Sequence, residues 1–164
     1  MAVCTIDADA SPQFQKLRDH WRRSYPHIDT DLEAAFKSIR QNIQACGAWR
    51  IQAGAVIEAY KYRQNSKDIK RGASYGWRII ALFHKPTAVM YPILVYPKTA
   101  WENAGDAAIS AAVKEMQRIL GYCIADGCDG VMTHGAPLEQ KREGDLVHTK
   151  MQCRKCGSVQ WVSA

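Results

Sequence analysis

Apolar residues recur at helical spacing early in the chain: Phe14, Leu17, Trp21 and Tyr25 share one stripe. Ser11 stands ahead of it as an N-cap, and Pro12 suits the first helical position. Pro26 predicts the end of this helix. Thr30-Asp31-Leu32-Glu33 reads as a capping box, and Leu32, Ala35, Phe36, Ile39 and Ile43 mark a second stripe that Gly47 would stop. An antiparallel helix hairpin is expected, with an apolar stripe that needs a sheet to cover. From Trp49 the pattern changes. Residues 56–63, 77–83 and 89–96 are rich in Val, Ile, Tyr, Phe and Trp and predict three strands. The short connection from His84 to Thr87 predicts an antiparallel hairpin between the second and third. Pro92, which lacks an amide donor, predicts a bulge or an edge position. Asp106 can cap a last helix in which Ile109, Val113, Met116 and Leu120 share a face.

The chain has 164 residues, enough for one domain with a small appendage. No run approaches the roughly 18 apolar residues of a membrane-spanning helix, and the N-terminus lacks a signal-peptide layout. A cytoplasmic protein with no membrane partner is therefore expected. The formal charge is +6, and its placement is more informative than its size. Residues 48–102 hold Arg50, Lys61, Arg63, Lys67, Lys70, Arg71, Arg78, Lys85 and Lys98 against only Glu58, Asp68 and Glu102, while the flanking segments are close to neutral. Such a concentration favours a polyanionic partner, because each cation that neutralises a phosphate releases condensed counterions. Strand alternation places Lys61 with Arg63, and Tyr96 with Lys98, on common faces. Arg78 follows the Tyr75-Gly76-Trp77 turn on the middle strand, so adjacent strands would gather these side chains into one cationic patch.

The residues in that patch carry a family resemblance. Ala59-Tyr60-Lys61-Tyr62-Arg63, Ser74-Tyr75-Gly76-Trp77-Arg78-Ile79-Ile80 and Tyr91-Pro92-Ile93-Leu94-Val95-Tyr96-Pro97-Lys98 resemble, in order, the strands of the RelE/HigB/ParE superfamily of bacterial toxins. The Tyr25-Pro26 to Asp31-Leu32 segment is similar to the helical hairpin of HigB-like members, and the likeness covers roughly residues 10 to 120. It implies an α+β RelE-like fold: a helix hairpin packed on a small, mostly antiparallel sheet, followed by a C-terminal helix. It also implies a ribosome-dependent endoribonuclease that cuts mRNA and is silenced by a cognate antitoxin.

The chemistry needs a deprotonated 2′-hydroxyl, charge neutralisation at phosphorus and a proton for the leaving 5′-oxygen, and none of these steps demands a metal. A lysine among cations has its charged form disfavoured, so Lys61 is the candidate base. Arg78 is the candidate for stabilising phosphate charge, Tyr96 for stacking or proton transfer, and Lys98 for an acid or phosphate contact. Arg63, Lys67, Lys70 and Arg71 are candidate nucleic-acid contacts, with Trp77 and Trp101 as candidate stacking residues. A ParE-type gyrase inhibitor and a non-catalytic zinc-containing nucleic-acid module are the competing readings.

Cys153-Arg154-Lys155-Cys156-Gly157 has the spacing of a zinc knuckle, and Cys123 and Cys128 supply a second, looser pair. The four thiols predict one structural zinc in a zinc-ribbon-like segment over residues 121–164, following a toxin-like domain over 1–120. His134 or His148 remains an alternative fourth ligand in place of Cys123. The tail either replaces a core too small to fold alone or touches nucleic acid through Arg154, Lys155 and Trp161.

Overall fold

The computed structural model describes residues 4–41, 48–100, 105–125, 128, 130–132, 136–143 and 146–163. Ile43, Gly47, Trp101 and His134 lie outside the described residues. The fold is mixed α+β, with three helices and two sheets among the described residues. It divides into two compact units, residues 1–112 and 113–164.

In the first unit, α1 (Pro12–Arg22) begins as its sequence dictates: the Ser11 hydroxyl accepts the Phe14 N–H at 3.4 Å, and Pro12 occupies the first turn. The second helix, α2 (Ile28–Gln41), starts ahead of the expected capping box. The Asp31 N–H already donates to the His27 carbonyl, so Thr30 sits inside the first turn and is not its cap. Arg18 and Arg22 both reach Asp29, at 2.6 and 2.8 Å, and tie the two helices together.

The helices cover one face of a five-stranded sheet. Its order is β1 (Thr5–Ile6), β5 (Val89–Pro97), β4 (Trp77–His84), β3 (Ile57–Gln64) and β2 (Trp49–Gln52), antiparallel throughout except for the parallel β1–β5 pair. The three predicted strands are β3, β4 and β5. Pro92 marks a bulge: Ile80 faces Leu94 and Ala81 faces Pro92, which leaves Ile93 as the extra residue. Phe14, Ile28, Leu32, Ala35 and Ile39 pack with Tyr62, Trp77, Ile79, Ala81, Met90 and Val95 to form the core. Where β1 no longer runs beside β5, the Trp21 indole N–H takes the Val95 carbonyl at 3.0 Å.

Asp31 is 2% exposed and holds this layer to the sheet. Its carboxylate accepts the Trp77 indole N–H at 2.9 Å and the Lys67 backbone N–H at 3.1 Å. It thereby joins α2 to the start of β4 and to the loop after β3. On the opposite face of the sheet, Ile80, Leu82 and Leu94 are also buried. The last helix, α3 (Asp106–Ile119), opens with the Ala108 N–H donating to the Gly105 carbonyl, so Gly105 precedes the helix and Asp106 lies within its first turn.

The second unit contains a three-stranded antiparallel sheet, β6 (Ala136–Glu143), β7 (Leu146–Gln152) and β8 (Val159–Ser163). Among the described residues no helix is long and apolar enough to cross a membrane.

Removing the Asp31 carboxylate strands the buried Trp77 indole N–H and the part-buried Lys67 N–H. Asp31→Ala should therefore destabilise the first unit by about 3 kcal/mol, and Asp31→Asn by less because its amide oxygen still accepts one of them. Urea unfolding followed by tryptophan fluorescence measures this; an unchanged midpoint for Asp31→Ala would remove Asp31 from the role of anchor.

Candidate nucleic-acid interface and metal centre

Strand register assembles the cationic set in the first unit. Arg63 on β3 stands opposite Arg78 on β4, and Arg78 stands opposite Tyr96 on β5, a single row across three strands. Lys61 shares this face two residues along β3, and Lys98 follows the end of β5, its backbone N–H donating to the Gly76 carbonyl at 3.1 Å. Arg63, Lys67, Lys70 and Arg71 are exposed, while Lys61 and Lys98 are half-buried. Burial lowers the pKa of the Lys61 ammonium from its ordinary value, and repulsion from Arg78 and then Arg63 lowers it further, against a partial pull from Asp106. Two of the cations in this part of the chain already share one carboxylate. Arg50 and Lys85 reach the buried Glu58 at 2.9 and 3.0 Å, and Tyr60 donates to the same carboxylate at 2.7 Å.

Three expected contact residues lie beneath the surface. Arg78 is 4% exposed, and its guanidinium donates to the Ala73 carbonyl at 3.0 Å, the Ser74 carbonyl at 2.7 Å and the Trp77 carbonyl at 3.3 Å. Desolvation lowers its pKa, with Arg63 adding to the effect and Tyr96 opposing it. It organises the turn before β4 from below. Tyr96 is 1% exposed and offers no ring face on which a base can stack. Trp77, a candidate stacking residue, is fully buried: its N–H is held by Asp31 and its ring meets Tyr25 edge-on at 5.1 Å. It packs the core instead. Gly76 explains how the turn lies so close to β3, because a Cβ there would sit 2.1 Å from the Gln64 carbonyl oxygen.

One aromatic residue at this site escaped the sequence reading. Tyr75 is 43% exposed, with Lys98 Nζ 5.1 Å and Arg71 Cζ 5.9 Å from its ring centre. Its signals in the sequence are its place in a Gly- and Ser-bearing turn between basic segments and within the Ser74 to Ile80 segment, where no role falls to it.

In the second unit the four expected thiols converge. Cys123, Cys128, Cys153 and Cys156 bring their Sγ atoms within 4.8 Å of one another, with the Cys123–Cys156 pair at 3.6 Å and the Cys128–Cys153 pair at 3.7 Å. A tetrahedral ion bound at about 2.3 Å by four sulfurs separates them by about 3.8 Å, so this cluster can hold a metal ion. Gly157, at φ 77°, turns the backbone after Cys156. Gly130 lies against the cluster, where a Cβ would stand 2.5 Å from Cys153 Sγ. The thiols differ sharply in acidity. Hydrogen bonds with the Ser158 side chain and backbone lower Cys156 to about 6, whereas burial pushes Cys123 up to about 12. The Gly130 N–H, 3.4 Å from Cys128 Sγ, and the Cys123 thiol favour that thiolate, but burial and the Cys156 and Cys153 thiols leave its pKa raised. Converging thiolates repel one another, and a bound cation offsets the repulsion. His148 lies elsewhere, 3.9 Å from Glu143, so the cysteines form the set without it.

Gly130→Ala should weaken metal retention by roughly tenfold, since Cys153 must move to admit the methyl group. Gly105→Ala, where nothing lies within 4 Å of the added carbon, should leave it unchanged. Chelator competition reads both variants, and equal affinities would show that the cluster is not packed as described. Acidification should release the ion as the thiolates take up protons. Compared with protein-family models, curated proteins and solved structures, the chain matches none.

Proposed function

We propose that the first unit is a RelE-like endoribonuclease that cuts mRNA on the ribosome, the toxin of a toxin–antitoxin pair. The observation that carries this reading is the side-by-side placement of Lys61, Arg63 and Arg78 on adjacent strands: the charged forms of Lys61 and Arg78 are both disfavoured, and of the two only the lysine can give up its proton. A neutral Lys61 amine accepts the 2′-hydroxyl proton, and the oxygen attacks the neighbouring phosphorus. Arg63 presents its planar fork to phosphate, and Lys98 supplies a proton to the departing 5′-oxygen. Arg78 contributes its positive charge from beneath the surface and holds the turn that leads into β4. A cognate antitoxin with an acidic segment would neutralise the same exposed cations.

For the second unit we infer that the ion is zinc and that its role is structural. Four sulfur donors close the coordination sphere, and the described hydrophobic cluster around Cys123, Met132 and Cys153 is small for independent folding. The burial of Arg78 and Tyr96 favours a second reading, in which the protein binds RNA through its cations without cutting it.

Lys61→Ala should lower single-turnover cleavage on programmed ribosomes by about a hundredfold or more. Because the Lys61 pKa is depressed and the neutral amine is the active form, the wild-type rate should climb with pH and level off once the amine is deprotonated. Lys61→Ala should abolish that climb. Lys37→Ala, on the exposed face of α2, should cut normally. Ribosome binding without cleavage would favour the non-catalytic reading, and intact mRNA with damaged DNA the gyrase reading.

A further inference from the structure

We propose that Tyr75 is a stacking platform for an RNA nucleobase, held in place by the buried Arg78. The proposal deepens the RNA reading above and rests on it.

An aromatic ring 43% exposed on a short turn adds little to the core, so its placement needs another reason. The turn is fixed with unusual completeness for a surface segment. From below, Arg78 donates to the carbonyls of Ala73 and Ser74. Within it, the Tyr75 and Gly76 N–H groups both donate to the Gly72 carbonyl at 3.1 Å, and from the end of β5 the Lys98 N–H takes the Gly76 carbonyl. Gly76 admits no side chain, because β3 passes too close. A buried arginine with three carbonyl partners therefore orders the backbone on either side of one exposed ring, and the entropy of presenting that ring is lost on folding rather than on binding.

The surroundings of the ring specify the ligand. Lys98 and Arg71 lie over it at 5.1 and 5.9 Å, and the exposed Arg63, Lys67 and Lys70 belong to the same basic region of sequence. Cation–π contacts at an exposed site are weaker than stacking of a base on an aromatic ring. A single-stranded nucleotide can therefore displace the cations from the ring and offer them its flanking phosphates. Both side chains are long and flexible enough to move from ring to phosphate. An apolar peptide would take the ring but leave the cations without partners, and a free phosphate would take the cations but leave the ring in water. A nucleobase with phosphates on either side satisfies both. Stacking is tolerant of base identity, so this platform orients the strand and leaves sequence preference to other contacts.

The test uses the full chain and a short single-stranded RNA carrying 2-aminopurine, made uncleavable by 2′-O-methylation, so that stacking is read without catalysis. Wild-type protein should quench the 2-aminopurine fluorescence on binding. Tyr75→Phe should keep the quench, whereas Tyr75→Leu and Tyr75→Ala should lose it and weaken affinity by roughly tenfold or more. Arg78→Lys keeps the charge but cannot span the Ala73 and Ser74 carbonyls. It should reduce the quench while circular dichroism shows a folded chain; should it fail to fold, the Tyr75 variants decide the matter alone. Full quenching by Tyr75→Ala overturns the proposal, and full quenching by a folded Arg78→Lys overturns the part assigned to Arg78. Cleavage on ribosomes is measured separately. A protein that quenches but never cuts refutes the nuclease reading and leaves the platform standing, and a Tyr75→Ala variant that cuts and quenches as wild type refutes the platform alone.

Discussion

A carboxylate taken out of water must find donors, and in this protein Asp31 finds them on two distant parts of the chain at once. The indole N–H of Trp77 and the backbone N–H of Lys67 both converge on it, so one helix, the first residue of β4 and the loop after β3 share a single point of attachment. His27 adds a second tie nearby, its backbone and ring nitrogens meeting Asp68 at 3.0 and 2.6 Å. That loop carries Lys67, Lys70 and Arg71, and the cations that would repel one another in a free loop are held by anchors beneath them. The position of the basic surface follows from the helix layer as much as from the sheet that presents it.

The second unit solves a different problem with a different constraint. Its described core is narrow, and several strand residues, Leu138, Leu146 and Val159 among them, remain exposed. Four converging thiols can supply directional bonds to an ion where apolar area is scarce. The glycines at 130 and 157 serve that geometry in separate ways, one by close approach to the sulfurs and one by backbone sign.

What the sequence disclosed depended on the range of the interaction behind each feature. Ser11 and Pro12 were legible because a cap is made within four residues, and β3, β4 and β5 because their side chains suit a buried pleated surface. The cysteine pairs were legible because ligand spacing is local, although nothing local showed that Gly130 must pack against Cys153. The strands β1 and β2 were not, since segments of two and four residues owe their form to the neighbours they pair with. Asp31 looked like part of a cap because its true partners lie far along the chain. Alternation put Lys61 and Arg63 on one face, and the strand register set Arg63, Arg78 and Tyr96 in line, but a period of two assigns a face and says nothing of depth. Arg78 and Tyr96 proved buried for that reason, and Tyr75, in a turn with no period at all, was passed over.

The parallel pairing of Thr5 with Val89 and Ile6 with Met90 has a consequence for how the chain is made. During synthesis β1 emerges first and its partner strand only after most of the first unit has been translated. The sheet therefore closes last at the edge that was made first, and the same delay leaves the Trp21 indole without its Val95 carbonyl. Such long-range closure slows folding relative to the hairpin of β4 and β5, whose strands emerge together. The nascent chain thus passes through a stage in which its central hairpin can form while the N-terminal strand waits for a place in the sheet.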